Sequence, residues 1–294
     1  MFLTEHGRVF ALGSGHGGRC GTGKESDVET PTLLGALERA RATWGPVLHV
    51  SAGRAHSAAT TSHGAVFAWG WGGRGRLGIG GSECALEPTH VMALRGQRVR
   101  STACGGEFTL ALTREGALWA WGATDDGVVG AGCGGGREPQ FYPELLTIAA
   151  LRGRRVMAVA AGTRHAGTHA AAAELLHGRL ILWGATALLS AADEVFTWGA
   201  PDAGALGHGA VEGAPEPQPR LVVALADERV GALSAGDART YMITRDGRVL
   251  ACGRGCGPEG VDAARPVETR IRGIDAKDRA MTAALPELLM PVSY

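Results

Sequence analysis

Residues 17 to 26, GGRCGTGKES, come within one residue of a phosphate-binding loop. Gly18, Gly23 and Lys24 match G-x-x-x-x-G-K, but Glu25 stands where a Ser or Thr hydroxyl would hold Mg²⁺. A carboxylate there also repels the phosphate that the loop's N–H groups would cradle. No helical period follows, and Pro31 interrupts the stretch. Two further spacings invite chemistry. His165 and His169 stand four apart, a metal spacing on a helix, but their run reads as strand, where such a pair is roughly 13 Å apart. Cys252 and Cys256 in CGRGC lack the CxxC spacing, and no Ser-His-Asp, Cys-His or G-x-S-x-G arrangement stands out. We therefore expect no catalytic residue, no bound metal and no cofactor; the chain does not read as an enzyme.

What positions these glycines is an internal repeat. Gly makes up 47 of 294 residues, about twice its usual share. The stretches at 63–80, 115–132 and 193–209 superimpose without gaps. Counted from Gly70, Gly122 and Gly199, which follow Trp69, Trp121 and Trp198, further glycines fall at +5, +8 and +10. The same ruler laid on Gly13 accounts for Gly18, Gly21 and Gly23 and leaves Lys24 outside. The near-phosphate loop is thus the tail of a first repeat. Upstream lies a second anchor, SAGRAH at 51–56, with counterparts at 103–108, 160–165 and 234–239. Anchor glycines 53, 105 and 236 precede turn glycines 64, 116 and 247 by 11 residues each. TLALTREGALWAW (109–121) is two apolar runs joined by a short Gly turn, a hairpin buried on both faces. Almost no helical pattern separates the runs, so the fold class is all-β.

The repeat resembles that of the regulator of chromosome condensation family, whose units read roughly AAG…H…DG…WG…G.LG.G. The resemblance covers about residues 1–260 in four good copies and a worn fifth, in which Cys252-Gly253 replaces Trp-Gly. It implies a β-propeller of four-stranded antiparallel blades. About five units are fewer than the family's seven blades, which favours a partial or open propeller. One unit is expected as strands near 90–94, 99–104, 108–113 and 117–121. Residues 261–294 read as a divergent C-terminal segment, a partial blade or a closing clasp. The third anchor, Gly162, reaches its turn 20 residues late; excising 173–192 restores the spacing. That segment is read as an irregular insertion outside the blades, either a partial duplication or a sequence-level artefact.

Trp69, Gly70, Trp121, Gly122, Trp198 and Gly199 are read as the structural repeat core, with Trp71 and Trp119 buried likewise. His56 and His165, at the family's anchor histidine, are read as satisfied structural rings. A light-sensing branch of the family carries its chromophore tryptophans in GWRH-type segments; here the matching positions read GRAH, GGEF, GTRH and GDAR, so that activity is not implied.

Charge narrows the partners. Lys+Arg and Asp+Glu both number 29, and no basic tail is present, so direct nucleic-acid binding is not expected. Glu5 and Arg8 interrupt any secretory signal, and the longest uncharged apolar run, 180–192, is too short to span a bilayer. The thiols read as reduced, and the chain as intracellular, cytoplasmic or nuclear, without membrane contact. Antiparallel order sends alternate turns to opposite rims. One rim is basic, led by Arg95, Arg98, Arg152, Arg154 and Arg155; the long connections after Trp-Gly make the other acidic. The expected function is a protein-interaction scaffold or adaptor. The alternative that the resemblance implies is a guanine-nucleotide exchange factor for a Ran-like small GTPase, so a small GTPase and a chromatin protein are the candidate partners.

Overall fold

A computed structural model describes residues 1–124, 138–147, 152, 155–162, 185–190, 194–200, 202–209, 216–236, 238–258 and 262–268. The chain divides into two compact units, Met1–Ala149 and Ala150–Tyr294. Both are built from antiparallel sheets of the propeller-blade kind.

In the first unit, β1 (Phe2–Leu3), β2 (Val9–Gly13) and β3 (Val28–Leu33) form a three-stranded sheet. The helix α1 (Gly35–Trp44) leads to a second sheet of β4 (Val47–Ala52), β5 (His56–Thr61), β6 (Val66–Gly70) and β7 (Ala85–His90). A third sheet holds β8 (Val99–Cys104), β9 (Phe108–Thr113), β10 (Leu118–Gly122) and β11 (Gln140–Leu145). The second unit repeats the plan twice. Its sheets are β12 (Val156–Ala161), β13 (Ala185–Ser190), β14 (Val195–Gly199) and β15 (Glu216–Leu221), then β16 (Val230–Gly236), β17 (Arg239–Thr244), β18 (Val249–Gly253) and β19 (Ala263–Glu268).

The glycine ruler has a steric cause. In the four-stranded sheets the third strand pairs with the fourth through a register shift at the residue before the repeat glycine, and β2 pairs with β3 in the same way. Gly70 and Gly122 sit at that bulge with φ of 103° and 110°, where a side chain is strained. The tail beyond then crosses to the next sheet. A Cβ on Gly78 would lie 2.7 Å from the Trp121 indole nitrogen, and one on Gly21 2.6 Å from that of Trp69. The tail ends by donating backbone N–H groups to the next fourth strand: Gly23 to Leu86, Gly80 to Phe141 and Gly209 to Ala264. Trp69, Trp121 and Trp198 are wholly buried.

The carbonyl before the +7 residue makes a second stitch. Arg76 O accepts from Thr109 Oγ1 at 2.8 Å and Trp121 Nε1 at 2.9 Å. Ala205 O accepts from Thr240 Oγ1 at 2.8 Å and from Cys252 Sγ at 3.3 Å. The thiol thus stands in for the missing indole N–H, a weaker donor in a smaller space. All five cysteines among the described residues are free. Burial drives Cys104 and Cys252 up to about 12, so both are inert thiols at neutral pH.

Several sequence expectations need correction. The strand expected at 90–94 is not formed: His90 ends β7, and 91–94 lie outside any strand. The fourth strand of each sheet follows the Trp-Gly strand, and after β7 the chain makes a single 3-10 turn at Met92–Leu94. Its flanking pair Val91 and Leu94 is buried, as are Val222 and Leu225 in the fourth sheet. Leu34 and Leu37 fill the same role in the first connection, but there the turn continues into the ten-residue helix α1. Ala, Leu, Arg and Glu in GALERARATW favour that continuation, and Gly45 at φ 76° stops it. The expectation of almost no helical pattern between the strand runs therefore misses this helix. The fifth sheet also runs past residue 260, since β19 ends at Glu268.

The largest correction concerns 173–192. Residues 185–190 are β13, the second strand of a blade, paired with both β12 and β14. Ala185 faces Gly199, as His56 faces Gly70 and Phe108 faces Gly122. The anchor-histidine place assigned to His165 thus belongs to Ala185; His165 itself lies outside the described residues, as do 173–184 and 191–192.

Candidate functional site

After Trp69-Gly70, the loop following β6 builds a polar cluster at the boundary of the second and third sheets. It begins with Trp71, which is 39% exposed and not buried as its Trp-Gly dipeptide suggested. A 3-10 turn follows at Gly73–Gly75, with Arg74 in the left-handed region at φ 60°. The equivalent residues of two other repeats, Gly17 and Ala203, adopt the same conformation at 65° and 53°. Glycine would be unstrained here, so the arginine is held at a conformational cost.

Arg76, two residues on, is 1% exposed. Its Nε donates to Gly73 O at 2.7 Å and a terminal nitrogen donates to Gly106 O at 2.6 Å. The other terminal nitrogen lies 3.6 Å from Glu107 Oε1. Glu107 is itself buried, and its second oxygen is 3.4 Å from Arg74 Nε. Trp71 lies across the guanidinium, whose carbon is 4.6 Å from the ring centroid. Burial lowers the Arg76 pKa to about 10; Glu107 opposes that fall, while Arg54 and Arg74 add to it. The group remains a cation at neutral pH.

The cluster continues inward through the hydroxyl of Thr109. That hydroxyl has one proton, and it goes to Arg76 O. Thr109 Oγ1 must then accept from His56 Nε2, 2.8 Å away. His56 is therefore the Nε2–H tautomer, with Nδ1 buried and without a partner. Burial, and secondarily Arg76, push its pKa down to about 3. A ring so held is a structural donor with no proton to exchange near neutrality. What the arrangement offers is recognition: an exposed indole, fixed from behind by a buried ion cluster, beside the half-exposed Arg74.

Sequence reasoning missed this cluster. Its signal was two arginines inside a glycine-rich tail whose counterparts carry Ala203 and Ala205, with a Glu in the next anchor, GGEF.

The arginines singled out for the basic rim fall into two groups. Arg95 and Arg98 are exposed on the turn before β8. Arg98 O accepts from Arg114 N at 3.1 Å, and Arg114 reaches Ser62 O at 3.0 Å, so three basic residues share one end of the second and third sheets. Arg152 and Arg155 are exposed in the second unit, and Arg154 lies outside the described residues. Among the described residues no group of His, Cys, Asp and Glu could hold a metal ion, and no helix is long and apolar enough to cross a membrane.

Comparison with known proteins matches the chain to the family model described as regulator of chromosome condensation (RCC1) repeat, over residues 6–60, 63–112 and 115–168. A second model of the same description matches 47–76 and 99–128. The chain is 31% identical over 282 residues to the E3 ubiquitin-protein ligase HERC2 of Homo sapiens, covering 94% of the chain and 5% of that protein. It is 31% identical over 268 residues to the ultraviolet-B receptor UVR8 of Arabidopsis thaliana, covering 90% of the chain and 54% of the receptor. Human WBSCR16 has a similar fold, with a TM-score of 0.73 at 21% identity over 92% of this chain and 64% of that one. Prp20p of Saccharomyces cerevisiae, described with its binding to Gsp1p and histones, gives 0.67 at 17% identity over 92% and 60%. The chain thus spans well under two thirds of these curated relatives.

Proposed function

The chain belongs to the regulator of chromosome condensation (RCC1) repeat family, and from that membership we propose that it is a protein-interaction propeller, a scaffold or adaptor that docks partners on the connections between its strands. The observation that carries this reading is Trp71. An indole 39% exposed, immobilised over a buried Arg76–Glu107 pair, is the kind of rigid aromatic anchor that dominates binding energy at interfaces. The strand interiors are occupied by the repeat itself, which leaves the connections as the place where one repeat differs from another. The basic turns bearing Arg95 and Arg98 in the first unit, and Arg152 and Arg155 in the second, are each suited to acidic partners.

A second reading, nucleotide exchange on a small GTPase, is favoured by the fold shared with Prp20p and its described binding to Gsp1p. Such a factor forms no covalent bond; it binds the nucleotide-free state better than the loaded one. One experiment addresses both. Partners captured by the wild-type chain are compared with those captured by Trp71→Ala, and purified GTPases among them are assayed for release of labelled GDP. Specific partners lost with Trp71 and an unchanged release rate support the scaffold. Accelerated release supports exchange. A partner set indifferent to Trp71 removes the indole as the anchor.

A further inference from the structure

The second unit carries a cleft of about 270 Å³, lined by His208, Arg220, Leu221, Val223 and Arg265 among others. We propose that this cleft binds a phosphorylated serine or threonine of a partner peptide, with an apolar neighbour of the phosphoresidue packed on Val223 and Leu221. The proposal deepens the protein-interaction reading and rests on it, but it uses residues of the second unit, whereas Trp71 belongs to the first.

Two arginines and a histidine meet here from three elements. His208 lies in the repeat tail, Arg220 near the end of β15 and Arg265 in β19. Arg265 lies against the tail: a Cβ on Gly209 would be 3.2 Å from its Nε. It is exposed and makes no ion pair among the described residues. Arg220 is 3.0 Å from Glu216, and both side chains are substantially exposed. Such a pair is weak and readily exchanged for a better anion. His208 Nε2 is 3.0 Å from Thr197 Oγ1, whose own proton goes to Leu206 O at 2.6 Å. Nε2 therefore carries the ring hydrogen; burial and the neighbouring Arg220 hold the His208 pKa below its ordinary value, so the positive charge of the cleft comes from Arg220 and Arg265. Beside these groups Val223 is 73% exposed and Leu221 36% exposed.

The repeat does not require this chemistry. At the same register the first unit has Thr22, Thr32 and Glu87 between its first two sheets, and Ile79, Thr89 and Tyr142 between the next two. Glu87 and Tyr142 lie against Gly23 and Gly80 as Arg265 lies against Gly209. Polar, apolar and acidic side chains thus all fit the blade boundary, and only this boundary among these three gathers two arginines and a histidine. The two arginines select the ligand. A single carboxylate carries one charge and two oxygens, whereas a phosphate monoester carries nearly two charges and three strong acceptors. The adjacent exposed valine and leucine select a peptide over a free anion, which would leave them in water.

The test uses the full chain at physiological salt. Binding of a degenerate phosphoserine and phosphothreonine peptide library is compared with the unphosphorylated library, a glutamate-substituted library and inorganic phosphate. The expected result is selective retention of phosphopeptides bearing an apolar residue next to the phosphate. Affinity should fall at least tenfold (about 1.4 kcal/mol) in Arg265→Gln and in Arg220→Gln with unchanged melting temperature. Equal retention of the unphosphorylated or glutamate libraries overturns the proposal, as does binding of inorganic phosphate as tight as the peptides. Phosphopeptide binding unaffected by both substitutions also overturns it. If phosphopeptide binding fails while Trp71-dependent capture persists, only this cleft is refuted; loss of both refutes the interaction reading.

Discussion

Two histidines between neighbouring sheets, His56 buried and His49 half-buried, set an acid limit on the fold. His49 Nδ1 accepts the backbone N–H of Thr102 at 3.4 Å, and burial lowers its pKa to about 4. Burial, and secondarily Arg76, hold His56 neutral, with its pKa lowered to about 3. Both folded values lie below the ordinary value near 6.5 of the unfolded chain. Above that pH neither state binds the proton, and the stabilisation is complete. Below it the unfolded state gains protons that the folded state refuses, so stability falls as pH falls. Each ring should cost about 1 kcal/mol between pH 7 and 5.5. Urea unfolding across that window measures the slope, which His49→Asn should make shallower; an identical slope would place the acid sensitivity elsewhere. Only part of this was legible in sequence. His56 could be read as a structural ring, but its orphaned Nδ1 depends on which hydroxyl proton goes where. Arg76 and Glu107 are 31 positions apart, and no local pattern joins them.

At the level of the element, the glycine spacing was legible because sterics impose it at fixed intervals. Gly78 illustrates the constraint: φ is +70°, and an added Cβ would meet the Trp121 indole 2.7 Å away. Gly78→Ala should therefore destabilise the first unit by about 2 kcal/mol, from strain and overpacking together. Gly81 has open space around its position, so Gly81→Ala is the control and should leave the chemical midpoint nearly unchanged. What spacing could not fix is where extra residues enter an interval. HAGTHA at 165–170 and ATALLS at 185–190 are both small-residue runs able to lie in a strand, and counting back from the turn admits either. The backbone places ATALLS in the blade. Deleting 165–184 removes the same number of residues, joins Arg164 to β13 and restores the anchor spacing. This variant should unfold cooperatively near the wild-type temperature, whereas deleting 173–192 should lower it by removing β13. Equal melting of the two deletions would show that HAGTHA can take the strand's place. The helix α1 escaped notice for a related reason. Its start copies the Leu-x-x-Leu connection of other sheets, and only the run of helix formers after it differs.

For the whole molecule, equal numbers of acidic and basic residues conceal how the charges are distributed. Strand order sends the turns before each first strand and those between second and third strands to the same end of a sheet. Arg98 and Arg114 confirm the pairing in the first unit through their backbone hydrogen bond. Charges concentrated at one end act on association more than on folding, because exposed ion pairs contribute little to stability. Arg98 adds a local feature, since its φ of 33° is unusual for a side chain of its kind. Because the arginines divide between two units, each pair is to be reversed separately. Arg95→Glu with Arg98→Glu should slow capture of an acidic partner severalfold at low salt and leave melting unchanged. Arg152→Glu with Arg155→Glu reports on the second unit in the same way. The effect should shrink as ionic strength rises and the Debye length falls from about 10 Å at 0.1 M towards about 3 Å at 1 M. Stopped-flow association at several salt concentrations separates the outcomes. Slower association from one pair alone assigns docking to that unit, and slower association from both extends the basic surface over two. Rates unchanged by either pair at every salt concentration would remove these turns as a docking surface.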